Sequence, residues 1–178
     1  MSLYVDDLII IGSAYKLIEE IKIQSSQEFE KKDLGELHYY LGIEVWRELG
    51  KTLITQSKYT KEILKKFNMS DCKAMSTPLK QNAKFCKEDG TKEANGTLYH
   101  QLGGGLNYLT TTRIDISYLV SILSQFMAKP LGNHWNTINK FLLYLKGTIN
   151  LGIMYTDESN VALTGFSDSD WAGNPDER

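Results

Sequence analysis

The chain is poor in cysteine, histidine and net charge, and it has no long apolar run. Its two cysteines, Cys72 and Cys86, have neither a second Cys nor a His at zinc-ligand spacing. A disulfide framework and a zinc module are therefore excluded as organising principles, and reduced thiols in an intracellular protein are expected. The three histidines, His38, His100 and His134, are scattered and read as structural or solvent-facing. A formal net charge of −2 offers no global attraction for a polyanion. No apolar stretch approaches the roughly 20 residues of a membrane span. No basic segment followed by an apolar core opens the chain as a signal peptide would, so no membrane partner is expected. Internal repeats and low-complexity tracts are lacking too. At 178 residues and 42% hydrophobic, the chain is globular material for one domain or two small pieces.

Against that background, Tyr4-Val5-Asp6-Asp7 stands out between Ser2-Leu3 and Leu8-Ile9-Ile10-Ile11. Neighbouring residues on a strand point to opposite faces. At the turn of a tight apolar hairpin, two adjacent carboxylates can project from one end. Mg²⁺ favours such a place, taking carboxylate oxygens together with substrate phosphates. Two metals held there would activate a 3′-hydroxyl and stabilise a leaving pyrophosphate. The plainer reading is a turn that uses Asp for local hydrogen bonding.

The pattern predicts strand, turn and strand over 3–11, then a helix over 14–29 capped by Ser13, with Leu17, Ile18 and Ile21 on one face. The continuous apolar run of the returning strand predicts burial on both faces. A turn is expected at Asp33-Leu34-Gly35, a strand over 37–45 with Gly42 inside it, and a return over 52–55. Ser57 is expected to cap a helix through Phe67, ended by a left-handed Asn68. A long connection over 70–96 follows, and then three amphipathic helices. Gly103-Gly104-Gly105 cuts into the first of these, at about 1 kcal/mol per glycine relative to alanine. Asp115 reads as a cap of the second. The third covers 133–146, with Trp135, Ile138, Phe141, Leu142 and Leu145 inward. A hairpin of 152–155 with 161–167 closes the pattern. Between residues 57 and 88, eight lysines face three acids. That segment reads either as a solvated helix face or as a phosphate-contacting surface.

Tyr4-Val5-Asp6-Asp7 resembles the Tyr-x-Asp-Asp box of reverse transcriptases, and the downstream sequence resembles the copia-type retrotransposon polyprotein. The matching stretches are Lys31-Lys32-Asp33-Leu34-Gly35-Glu36-Leu37, Tyr40-Leu41-Gly42-Ile43-Glu44-Val45 and Ser57-Lys58-Tyr59. They continue through Ser76-Thr77-Pro78-Leu79, Tyr108-Leu109-Thr110-Thr111-Thr112-Arg113, Asp115-Ile116-Ser117-Tyr118 and Tyr144-Leu145-Lys146-Gly147-Thr148. Ser167-Asp168-Ser169-Asp170-Trp171-Ala172-Gly173 ends the series, which spans nearly the whole chain in order.

The resemblance implies an α+β fold. Residues 1–56 would form a partial palm of two β-hairpins and a helix, 57–150 a helical thumb and connection, and 151–178 the start of a ribonuclease H-like domain with a short terminal hairpin. Asp6 and Asp7 would be the polymerase carboxylates and hold Mg²⁺, or Mn²⁺, with Asp6 the direct ligand in preference to Asp7. Tyr4 and Val5 would lie beside the primer terminus and template. The hairpin of Tyr40, Leu41 and Gly42 would be the primer grip, and Lys58, Lys61 and Lys65 would contact primer or template. Asp168 would align with the first metal-binding Asp of ribonuclease H. The implied partners are an RNA or DNA template-primer and dNTP, in a cytoplasmic particle or the nucleus.

Two departures from the family's pattern are Gly103-Gly104-Gly105, in place of better helix formers, and Ile114, where the family often has Pro. The family's third palm Asp and its fingers residues have no counterpart within these residues, because only three residues precede Tyr4. An upstream segment or a partner chain is therefore expected to complete the palm. The isolated polypeptide is not expected to extend a primer. The competing readings are a non-catalytic nucleic-acid-binding remnant and a retroelement relic.

Overall fold

The computed structural model describes residues 1–79, 85–157, 162 and 164–167. Among these the chain is α+β, with a two-stranded sheet, a four-stranded sheet and five α-helices. It divides into two compact units, Met1–Leu37 and the portion from His38 onward.

In the first unit, β1 (Ser2–Tyr4) pairs antiparallel with β2 (Asp7–Ile9), in the register Ser2↔Ile9, Leu3↔Leu8 and Tyr4↔Asp7. Helix α1 covers Tyr15–Glu28. Its cap position is Ala14, with no side-chain cap, so the expected capping by Ser13 does not occur; the helix starts one residue too late for it. Lys22 bridges Glu19 at 2.9 Å and Asp33 at 3.1 Å. Asp33 Oδ1 accepts the Gly35 N–H at 2.9 Å, and Gly35 lies at φ +76°, which makes the expected turn. No residue of this unit is buried. The strand expected to be covered on both faces is half-buried at Leu8, Ile9 and Ile10, and Ile11 is exposed. A two-stranded ribbon with one helix has no second layer with which to cover it.

The second unit carries β3 (Tyr39–Tyr40), β4 (Ile43–Glu48), β5 (Lys51–Thr55) and β6 (Gly152–Thr156), hydrogen-bonded antiparallel in that order. One expectation is corrected here. The single strand over 37–45 is two strands joined by a two-residue turn at Leu41 (φ 49°) and Gly42 (φ 81°). Such a turn needs positive φ at both positions, and a leucine there hides the signal. The strand expected over 152–155 is present as β6 and has β5 as its neighbour, in the register Thr55↔Gly152 through Lys51↔Thr156, a pairing the sequence pattern does not predict. The turn of the expected closing hairpin, 158–160, lies outside the described residues. Residues 162 and 164–167 form no strand, and 161 and 163 lie outside the described residues. Gly152 allows that approach, since a Cβ there would run into the Ile54 carbonyl.

Helix α2 covers Ser57–Lys66, with Gln56 rather than Ser57 at the cap position. Asn68 lies at φ 57°, with Asn68 N–H to Lys65 O at 3.2 Å and Met69 N–H to Leu64 O at 2.7 Å. That is the expected left-handed helix end. Helix α3 (Gly96–Leu109) is capped by Asn95 Oδ1, which accepts the Leu98 N–H at 3.1 Å. A 3₁₀ turn at Ile114–Ile116 leads into α4 (Ser117–Ser124), and α5 covers Gly132–Gly147. The core gathers Tyr99, Leu102, Leu106 and Leu109 of α3 with Ile138, Phe141, Leu142 and Leu145 of α5, and with Ile63 and Leu64 of α2.

Helix α3 runs unbroken through its three glycines. Gly103 lies against the Met127 side chain, and a Cβ at Gly105 would sit 3.3 Å from the Tyr59 hydroxyl, so both mark close approaches; Gly104 faces open space. The connection after α2 is held to α5, with Met75 N–H donating to Leu143 O at 3.0 Å. Among the described residues no helix is long and apolar enough to cross a membrane.

Candidate functional site

The Tyr4↔Asp7 pair makes Val5 and Asp6 the two turn residues, so Asp6 sits at the hairpin tip and Asp7 opens β2. Both carboxylates are exposed. Val5 lies at φ 53°, a left-handed conformation that a β-branched side chain rarely adopts. Such a residue carries about 1–3 kcal/mol of strain and persists where the surroundings impose it. An Asp that merely builds a turn accepts a nearby backbone N–H, as Asp33 does from Gly35 and Asp89 from Thr91 at 2.8 Å. Among the described residues, neither Asp6 nor Asp7 makes such a bond or an ion pair. Two free carboxylates suit a hard cation that takes one or two protein oxygens and completes its shell with phosphate and water. No group of three or more His, Cys, Asp or Glu gathers for a metal among the described residues.

The β3–β4 hairpin is anchored at both ends. The Tyr108 hydroxyl of α3 donates to the Leu41 carbonyl, and a Cβ on Gly42 would stand 3.4 Å from that hydroxyl. Tyr59 of α2 meets the Tyr108 ring edge-on, with centroids 5.1 Å apart. At the other end, buried Glu44 of β4 reaches the start of α2, where its Oε2 accepts the Lys58 N–H at 3.0 Å. The Lys58 ammonium lies 3.8 Å from Glu44 Oε1 and 4.9 Å from the Tyr39 ring centroid. Thr112 donates to Gln56 Oε1 at 2.8 Å, tying the end of α3 to the start of α2.

Arg113, Asp115, Tyr144 and Thr148 form a network whose role sequence reasoning did not assign. Arg113 Nε and Nη2 donate to Asp115 Oδ1 and Oδ2, each at 2.8 Å. Arg113 Nη1 donates to the Thr148 carbonyl and Nη2 to its Oγ1, both at 2.9 Å. The Tyr144 hydroxyl donates to Asp115 Oδ2 at 2.9 Å. Asp115 was expected as a helix cap but serves Arg113 instead. The arginine's hydrogen bonds hold the Asp115 carboxyl below the usual carboxylate range. Burial, and then the bond to Asp115, push the Tyr144 hydroxyl up. The Arg-x-Asp and Tyr-x-x-x-Thr spacings, in an otherwise apolar region, were the available signal.

Of the expected nucleic-acid contacts, Lys58, Lys61 and Lys65 lie on α2 and are exposed, although Lys58 is engaged by Glu44. Tyr40 and Gly42 are half-buried, while Tyr4, Val5 and Leu41 are exposed. Asp168 lies outside the described residues, as do Lys80 and Lys84.

The model of the reverse transcriptase (RNA-dependent DNA polymerase) family matches residues 1–81. The retrovirus-related Pol polyprotein from transposon RE2 of Arabidopsis thaliana is 38% identical over 177 residues, covering 99% of this chain and 12% of that protein. The corresponding polyprotein from transposon RE1 is 40% identical, with the same coverage. An uncharacterised mitochondrial protein of A. thaliana is 39% identical over 173 residues, covering 96% of this chain and 71% of its own length. No solved structure matches the chain significantly. The chain belongs to the reverse transcriptase family. Within it, the chain corresponds to a segment of the copia-type retrotransposon Pol polyproteins, of which it spans 12% of the length in the two transposon relatives.

Proposed function

We propose that the β1–β2 hairpin carries two carboxylates of a nucleotidyl-transfer site, with Asp6 and Asp7 as the Mg²⁺-holding residues and Asp6 the direct ligand. The observation that supports this best is the hairpin tip itself. A strained Val5 presents two carboxylates that take part in no local hydrogen bond. Mg²⁺ bound there would supply activation of a primer 3′-hydroxyl and stabilisation of the leaving pyrophosphate. In this reading, Tyr4 and Val5 lie against the primer terminus and template. The β3–β4 hairpin is the primer grip, α2 to α5 serve as thumb and connection, and template-primer and dNTP are the partners. Residues 1–56 act as palm and 151–178 as the start of a ribonuclease H-like domain in which Asp168 holds metal. The setting is intracellular, in a cytoplasmic particle or the nucleus.

The first unit, in which no residue is fully buried, supports a palm completed by further strands, supplied by adjoining sequence or by a partner chain. By themselves, these 178 residues are expected not to extend a primer. The test uses Asp6→Asn and Asp7→Asn in a polypeptide that also supplies the remaining palm strands, assayed by primer extension with Mg²⁺. Metal ligation contributes several kcal/mol to the transition state, so each change is expected to reduce the rate by at least about 100-fold. Full activity in Asp6→Asn overturns the assignment.

A further inference from the structure

We propose that Tyr108 of α3 is a positioning residue for primer extension, holding the β3–β4 turn through the Leu41 carbonyl, with Tyr59 of α2 as its brace. The inference rests on the reading of that hairpin as the primer grip, and adds what fixes the grip in place. The last paired residues of the hairpin are Tyr40 and Ile43, so the turn residues Leu41 and Gly42 lie beyond the ladder. β3 is only two residues long, and a ladder that short holds its turn weakly. The Tyr108 hydroxyl supplies the Leu41 carbonyl with a donor from outside the hairpin.

Gly42 makes that approach possible. A Cβ there would stand 3.4 Å from the Tyr108 hydroxyl and 3.5 Å from its Cε1, so a side chain would press on the ring that carries the donor. Tyr108 is held in turn. The Tyr59 ring meets it at an interplanar angle of 85°, the edge-to-face arrangement that aromatic pairs prefer. Tyr59 packs against the helical core and sits over Gly105, where a Cβ would lie 3.3 Å from the Tyr59 hydroxyl and 3.4 Å from Ile63 Cδ1. Gly105 and Tyr108, three residues apart, share a face of α3. The glycine that costs the helix some propensity thereby makes room for the brace.

These contacts run from the buried helices to an exposed tip, through Gly105, Tyr59, Tyr108 and Leu41 in that order. Both tyrosines are half-buried, and they act through the turn without touching the primer. A reacting end displaced by about 1 Å can lose about 100-fold in rate. Loss of one hydrogen bond frees the turn for only part of the time, so a smaller effect is expected.

The test is primer extension by a polypeptide that also supplies the remaining palm strands, with amide exchange at Tyr40 and Ile43 measured on the same polypeptide. Tyr108→Phe keeps the ring and its contact with Tyr59 and removes only the hydroxyl. It is expected to lower kcat by about three- to tenfold and to speed exchange at both amides by a similar factor. The KM for dNTP and the Kd for template-primer stay within about twofold, a split that a general loss of folding does not produce. Tyr59→Leu is expected to lower kcat in the same way, whereas Tyr59→Phe, which keeps the ring, matches wild type. Gly104→Ala, on the open side of α3, leaves every value unchanged. Equal kcat in wild type and Tyr108→Phe overturns the proposal. If Gly42→Ala still lowers kcat in that case, the grip reading survives. If exchange quickens in Tyr108→Phe while kcat holds and Gly42→Ala is also fully active, the grip reading falls as well. A wild-type polypeptide that extends no primer overturns both.

Discussion

The guanidinium of Arg113, 2% exposed, holds both carboxylate oxygens of Asp115 at 2.8 Å, two residues further along the chain. The same arginine bonds Thr148 at the end of α5, so one buried cation joins the exit of α3 to the exit of α5. Removing the anion leaves that buried cation uncompensated, and stranding a buried charge typically costs about 3 kcal/mol or more. Asp115→Asn is therefore expected to destabilise by about 3 kcal/mol, and Arg113→Met by less, because a stranded Asp115 is exposed enough to hydrate. Urea unfolding at constant m value measures both. Equal losses in the two variants would contradict the asymmetry.

The same pair sets a pH dependence. The Asp115 carboxyl is lowered in the folded state, chiefly by the Arg113 hydrogen bonds. The unfolded chain therefore takes up the proton first as pH falls, and stability decreases. The contribution is complete above the ordinary carboxylate pKa of about 4 and is lost as pH falls through the lower folded value. Asp33 and Asp89 shift in the same direction, through bonds from Gly35 and Thr91, and are common to wild type and variant, so they cancel in the difference. The stability gap between wild type and Asp115→Asn is expected to narrow on acidification below pH about 5. Thermal midpoints taken from pH 7 to pH 3 would show it; a constant gap would not fit.

Local signals in the sequence were readable and long-range ones were not. Asn68 at the end of α2 and the Asp33–Gly35 turn were visible because a single residue type makes each conformation favourable. The α5 face was visible from its spacing. Glu44 capping α2 was not, because acceptor and donor lie on different elements 14 residues apart. Nor was the Arg113–Thr148 bond, with a separation of 35. The β5–β6 pairing fails for the same reason: a strand chooses its neighbour by which edge is free in space. At the candidate site, the identities of Asp6 and Asp7 were plain. The strained φ at Val5 was hidden, because nothing about a valine announces a left-handed turn.

Two glycines with opposite surroundings give opposite expectations. Gly42 lies at φ 81° against the Tyr108 hydroxyl, so Gly42→Ala meets both backbone strain and a tight neighbour. A loss of about 1–2 kcal/mol is expected. Gly104 sits inside α3 with nothing within 4 Å of a built Cβ. Gly104→Ala is expected to stabilise by about 0.5–1 kcal/mol, the helix-propensity difference. Chemical denaturation of the two variants side by side decides this, and a stabilising Gly42→Ala would refute the turn geometry.

Glu44 makes two contacts with one residue, and these separate by mutation. Its Oε2 accepts the Lys58 backbone N–H at 3.0 Å, while its Oε1 lies 3.8 Å from an ammonium that is 64% exposed. The first satisfies an otherwise open donor at the start of α2, which has no capping side chain of its own. Loss of such a cap costs about 1–2 kcal/mol, whereas a solvent-screened ion pair contributes about 0–1 kcal/mol. Glu44→Ala is therefore expected to lower stability by about 1–2 kcal/mol or more, since it also empties a buried position on β4. Lys58→Met keeps the backbone donor and is expected to fall within about 0.5 kcal/mol of wild type. Because the cap fixes the β3–β4 hairpin to α2, Glu44→Ala should also loosen that hairpin, read as faster amide exchange at Tyr40 and Ile43. Lys58→Met should leave those amides protected. If Lys58→Met matched Glu44→Ala in both measurements, the ion pair and not the cap would be the joint between hairpin and helix.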